Sequence, residues 1–201
     1  MAKATSSLPL LLLLSIFCVA AAAASVSAHT PSKSSNSFIL GSCRETRYPA
    51  LCLKSLLPYA SAIQTSPQKL AQTALSLSLN QANSTKAFVS KMNKIKGQKK
   101  LVQEALKDCL DEMEDSMGRL GQSIQELRSL GRASSPNFQW HLSNVQTWVS
   151  AALTDDNTCI DGLAGPAYTE NVKKEVKFRV ANAARATSNA LALINRLGGD
   201  Q

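Results

Sequence analysis

The chain has 201 residues, 44% of them hydrophobic and 18% charged, with a formal net charge of +8 and five cysteines. That length fits one domain with a core of useful size. The positive charge admits an acidic partner, but Lys and Arg are scattered and only 5% of residues are aromatic, so no nucleic-acid stacking platform is expected.

The first element is a leader. Lys3 precedes an apolar run from Leu8 to Phe17, broken by Pro9 and Ser15 and continued by Ala20 to Ala24. Val26-Ser27-Ala28 then gives a small-x-small cleavage site before His29. This pattern predicts a secretory signal peptide over residues 1–28, too short and Ala-rich to favour a membrane span. Its loss removes Lys3 and leaves +7, and it takes away Cys18. Cys43, Cys52, Cys109 and Cys159 remain, an even set destined for an oxidising compartment, so disulfides are their expected state. The product is expected to be soluble and extracellular, with no membrane span. A secreted basic protein meets acidic polysaccharides or acidic proteins.

Residues 29–37 are polar and Ser-rich and read as a flexible N-terminus. Residues 38–57 read as a short helical hairpin, broken at Tyr48-Pro49 because the residue before proline resists helical geometry. Four long helices follow over 66–198. The first opens at Ser66-Pro67, with Leu70, Ala74, Leu77, Gln81, Ser84, Phe88 and Ile95 as its stripe and Gly97 as its stop. The second runs from Gln98 to Leu130 with Val102, Ala105, Cys109, Met113, Met117, Leu120, Ile124 and Leu127 inward. In it, Gly118 and Gly121 mark a place for close packing or a bend. The third opens at Ser135-Pro136, buries Phe138, Leu142, Val145, Val149, Ala152 and Leu153, and passes Cys159. The fourth runs from Ala167 to Leu197 on Val172, Val176, Val180, Ala183, Leu191, Ile194 and Leu197.

Apolar spacings of three and four with short links predict an all-α protein: an antiparallel up-down four-helix bundle preceded by the hairpin and held by two disulfides. Four cysteines allow three pairings; adjacent pairing, Cys43 with Cys52 and Cys109 with Cys159, fits this architecture best. Loops of about 10 and about 50 residues would contribute about 3 and about 4 kcal/mol.

Reactive chemistry is sparse. His29 and His141 are the only histidines, and His141 reads as a surface or packing residue. Gly-rich phosphate loops, HExxH and Cys-x-x-Cys are absent, so no enzyme, cofactor or metal site is expected. Asp108, Asp111, Glu112, Glu114 and Asp115 crowd the second helix. Asp111 and Asp115 share a face, while Cys109 and Met113 point elsewhere, to the core. The acidic pair is therefore expected on the solvent side, as a solvated face or a partner-binding one. The run Thr154-Asp155-Asp156-Asn157-Thr158 poses the same choice. Asn83-Ser84-Thr85 is an N-glycosylation sequon, with an outward Asn83 expected.

The chain resembles the plant invertase and pectin methylesterase inhibitor family. The resemblance rests on Cys43-x8-Cys52 with Tyr48-Pro49 and Leu51-Cys52-Leu53-Lys54-Ser55-Leu56, on Cys109-Leu110, and above all on Val149 through Gly162, and it covers essentially the whole mature chain. It implies a secreted four-helix bundle of the cell wall or apoplast, with adjacent disulfide pairing. It also implies binding to a carbohydrate-active wall enzyme and cover over its active-site cleft. Invertase inhibitors of the family carry Pro-Lys-Phe, which is missing here, so pectin methylesterase is the favoured partner and acid invertase the alternative. The same domain also occurs ahead of a fused esterase; a chain ending at Gln201 reads as free-standing. Carried over by position, the interface comprises Asp111, Asp115, Thr154 and Asn157, with Asp155 and Asp156 behind them. The family often has acids where Asn157 and Gly118 stand here. A third reading is a wall protein that holds pectin weakly through its charge and inhibits nothing.

Overall fold

Among the residues that the computed structural model describes, 33–164 and 170–199, the chain is helical and forms no strand. The leader, residues 29–32 and the expected start of the last helix at Ala167 lie outside them. The hairpin is α1 (Lys33–Arg44) and α2 (Pro49–Leu56), followed by a 3-10 turn (Leu57–Tyr59) and the single turn α3 (Ala60–Ile63). The long helices are α4 (Pro67–Asn93), α5 (Lys100–Arg128), α6 (Phe138–Gly162) and α7 (Glu170–Asn195). Each long helix packs on the next and α7 packs back on α4, which closes an up-down bundle.

The termini show why the helices sit where they do. Ser66 is extended and its Oγ accepts from the Lys69 amide at 3.3 Å, while Pro67 opens the first turn of α4. At the other end of α4, Gln98 Nε2 donates to the Met92 carbonyl at 2.5 Å and the Ile95 carbonyl at 3.2 Å. The chain then turns at Gly97, whose φ of 83° suits glycine. Gly131, at φ 69°, does the same after α5.

Four expectations change. The helix start at Ser135-Pro136 moves to Phe138: the Ser135 hydroxyl donates back to the Leu130 carbonyl at 3.5 Å, in the loop after α5, and does not cap α6. α1 already begins at Lys33, so part of the expected flexible N-terminus is helical, and Ser35 is buried. The inward face of α4 keeps Leu70 and Ala74 of the expected stripe but departs from it further on: Ala71, Leu75, Ser78, Ala82, Thr85 and Val89 are buried, whereas Gln81 and Ser84 are exposed. Gly118 and Gly121 lie inside the continuous helix α5 and do not serve close packing, since a Cβ on either would meet nothing within 4 Å.

Large side chains such as Leu75, Leu106, Met113, Leu120, Leu142 and Ile194 fill the centre and are fully buried. Cys43 joins Cys52 across 5.6 Å between Cα atoms, and Cys109 joins Cys159 across 4.4 Å. The first bond closes the hairpin and the second clamps α5 to α6. Asn189 of α7 secures the hairpin to the bundle: its Oδ1 accepts from the Tyr48 amide and its Nδ2 donates to the Tyr48 carbonyl, both at 3.0 Å.

Candidate functional site

The α5–α6 pair is locked by the Cys109–Cys159 bond at one level and by a polar contact at another. Near the end of α5, Glu126 Oε1 accepts from Asn144 Nδ2 at 2.8 Å and meets His141 Nδ1 at 2.9 Å. The hydrogen bonds from Asn144 and His141 hold the Glu126 carboxyl below its usual range. His141 is thus a packing residue between two helices. No group of three or more His, Cys, Asp or Glu among the described residues could hold a metal.

With Cys109, Met113 and Ser116 turned inward, the intervening positions of α5 must face out. Asp108, Asp111 and Asp115 are exposed, and so are Thr154, Asn157 and Thr158 on α6. The α6 side chains are oriented by their own helix: Thr154 Oγ1 donates to the Ser150 carbonyl at 3.1 Å and Asn157 Nδ2 to the Leu153 carbonyl at 2.9 Å. Their oxygens still face solvent as acceptors. Glu114 leaves the cluster by pairing with Lys86 of α4 at 2.8 Å. Asn83, on the outside of α4, is exposed and donates to the Leu79 carbonyl.

Asp155 and Asp156, grouped by the sequence with the exposed contact candidates, are both buried. Asp155 accepts from Arg119 Nε at 2.8 Å, a charge-assisted bond from α5 to α6. Burial raises the Asp155 carboxyl, and Arg119 works against that rise. Asp156 has no exposed surface and reaches the bundle centre, where its Oδ2 accepts from Thr187 Oγ1 at 3.3 Å. Thr187 in turn shares a 2.8 Å hydrogen bond with Ser78 of α4. Burial pushes the Asp156 carboxyl up to about 7; the nearby hydroxyls of Ser116 and Thr187 hold it down and Asp155 adds to the rise. Ser116 Oγ and Asp156 Oδ1 are both buried, and neither has a hydrogen-bond partner among the described residues.

Two parts of this arrangement were not read from the sequence: the Arg119–Asp155 latch and the Asp156–Thr187–Ser78 chain. The spacing Ala152-Asp156-Cys159, four and then three, carries the signal for the second, because it puts Asp156 on the inward face of α6. Glu112, half-buried beside the latch, has its carboxyl raised by burial first and by Asp155 and Asp115 next. The exposed face of α5 is therefore a field of concentrated negative charge on a clamped helix pair.

A model of the plant invertase/pectin methylesterase inhibitor family matches residues 37–193. The chain belongs to that family. This inhibitor is 46% identical over 186 residues to Pectinesterase inhibitor 11 of Arabidopsis thaliana, a match covering 92% of each chain. It is 48% identical over 160 residues to the 21 kDa protein of Daucus carota, covering 80% of the inhibitor and 83% of that protein. Among solved structures, the crystal structure of a mutant form of a pectin methylesterase inhibitor from Arabidopsis superposes with a TM-score of 0.61 at 24% identity. That match covers 76% of the inhibitor and 92% of that chain, and it supports the fold. By family and by relatives the inhibitor is not itself an enzyme.

Proposed function

We infer that the chain is a secreted inhibitor of pectin methylesterase that lays the exposed α5–α6 face across the enzyme's active-site cleft. The observation that carries this reading is the exposure of Asp111, Asp115, Thr154 and Asn157 on one disulfide-clamped helix pair. A rigid face loses little conformational freedom on docking, so its contacts translate into affinity. The relatives named as pectinesterase inhibitors support the choice of target. Asp155 and Asp156 take no direct part; they hold the face in shape.

The test is a parallel assay of the oxidised protein against a panel of pectin methylesterases and acid invertases. Inhibition of esterase without inhibition of invertase is expected. The double substitution Thr154→Trp with Asn157→Trp, bulky and uncharged on the exposed face, should weaken esterase inhibition by about tenfold or more, the loss of about 1.4 kcal/mol or more in binding. Full potency in that variant, or inhibition of invertase alone, would overturn the reading.

A further inference from the structure

A cleft of about 620 Å³ lies where α2 and the 3-10 turn cross α4 and α7. It sits on the side of the bundle away from the α5–α6 face, because α4 and α7 are the other pair in the ring of helices. Its volume is that of a small-molecule site, about 300–1,000 Å³. The floor is apolar, with Leu51, Leu77 and Ala186. The rim holds Lys54, Ser55, Tyr59, Asn80, Gln81 and Asn182, and no carboxylate lines it.

These rim groups are unspent. The side chains of Lys54, Ser55, Asn80 and Gln81 have no hydrogen bond or ion pair among the described residues, although each can make several. Asn182 accepts only from Arg185 Nη1, at 3.2 Å, which leaves its amide N–H groups without a partner. Tyr59 is 43% exposed. Arg185 extends the feature: it donates to Asn182 of the cleft and lines a smaller depression of about 240 Å³ between α6 and α7 that again contains no carboxylate. There Arg47 and Arg185 flank the Tyr48 ring, 5.9 and 5.7 Å from its centre.

We propose that this track binds a linear oligosaccharide of uronic acid residues. Neutral amides and a serine hydroxyl match a polyhydroxyl chain, donor for acceptor. The exposed Tyr59 ring offers a flat apolar surface to one face of a sugar ring. Lys54 at one end and Arg185 with Arg47 at the other receive carboxylates as charge-assisted pairs. A phosphate-rich ligand calls for clustered cations, whereas here amides separate them. This site goes beyond inhibition and does not depend on it: the main cleft shares no residue with the enzyme-facing set, and only the smaller depression touches Asn157.

The test titrates the oxidised protein calorimetrically with short oligogalacturonates at mildly acidic pH, beside fully methyl-esterified oligomers and neutral cello-oligomers. Saturable binding of the acidic oligomer alone is expected. Lys54→Ala and Arg185→Ala should each weaken it by about tenfold, the scale of one charge-assisted pair. Lys96→Ala, an exposed cation remote from the track, should leave it unchanged. Absence of saturable binding, equal binding of the neutral oligomers, or a Lys96→Ala loss as large as that of Lys54→Ala would each overturn the assignment.

Discussion

Replacing Asp156 by asparagine should stabilise this protein at neutral pH and flatten its stability against pH. Asp156 has no exposed surface, and its carboxyl is raised from 3.8 to about 7. Between those two values the unfolded chain has released the proton while the folded chain keeps it. The folded state then binds more protons, so stability falls as pH rises through that window. Below it, both states are protonated and the group contributes no slope; above it, both are ionised and the loss is complete. At about 1.4 kcal/mol per pH unit, the full window amounts to about 4 kcal/mol. Asn keeps the shape of Asp and an oxygen to accept from Thr187, but it has no charge to bury. Urea unfolding of both oxidised proteins from about pH 4 to pH 8 reads the difference directly. Asp156→Asn should match the parent at the acid end and exceed it by up to about 4 kcal/mol at the neutral end. Parallel stability curves, or a variant weaker than the parent at neutral pH, would refute the argument that the folded chain holds this proton across the window.

Three further outcomes follow from the same contacts. Removing the clamp with Cys109→Ala and Cys159→Ala should cost about 4 kcal/mol in chemical denaturation, since the bond closes a loop of about 50 residues. Asn189→Ala strands the amide of Tyr48, whose carbonyl keeps the Cys52 amide, and should cost about 1–3 kcal/mol. Amide exchange in that variant should accelerate across the turn between α1 and α2 while α5 and α6 stay protected. On the proposed docking, with α5 carboxylates set against acidic groups of the enzyme's cleft, affinity for pectin methylesterase should rise as pH falls from about 7.5 to about 5, because part-protonated carboxylates repel less. The raised carboxyl of Glu112 places one of the α5 acids in reach of that change; surface plasmon resonance across the range checks it, and flat or rising affinity with pH would count against it.

Much of the fold was legible because the punctuation is strong. Ser66-Pro67 marks the start of α4 both in the sequence and in the cap geometry. The similar pair Ser135-Pro136 misled because its hydroxyl bonds back within the loop, to the Leu130 carbonyl, and leaves α6 uncapped. The outward position of Asp111 and Asp115 could be counted from Cys109 and Met113, which are large and inward. The inward face of α4 could not be counted the same way. Between Leu70, Leu75 and Val89 it is filled by small side chains, Ala71, Ser78, Ala82 and Thr85, which hydrophobicity does not single out from a surface. Asp155 and Asp156 were misplaced for a related reason. Charge suggests solvent, whereas Arg119 and the hydroxyl of Thr187 make their burial tolerable. The Asn189–Tyr48 clamp spans 141 positions, and no local pattern announces such a contact.

The central claim is that the clamped α5–α6 face covers the esterase's active-site cleft. Photo-crosslinking from Asp111 and from Asn157 in the inhibited complex, with the attachment sites mapped by mass spectrometry, tests it most directly. Attachment to residues lining the enzyme's catalytic groove is expected from both positions. Attachment outside that groove, or efficient crosslinking only from α1 and α2, would contradict it.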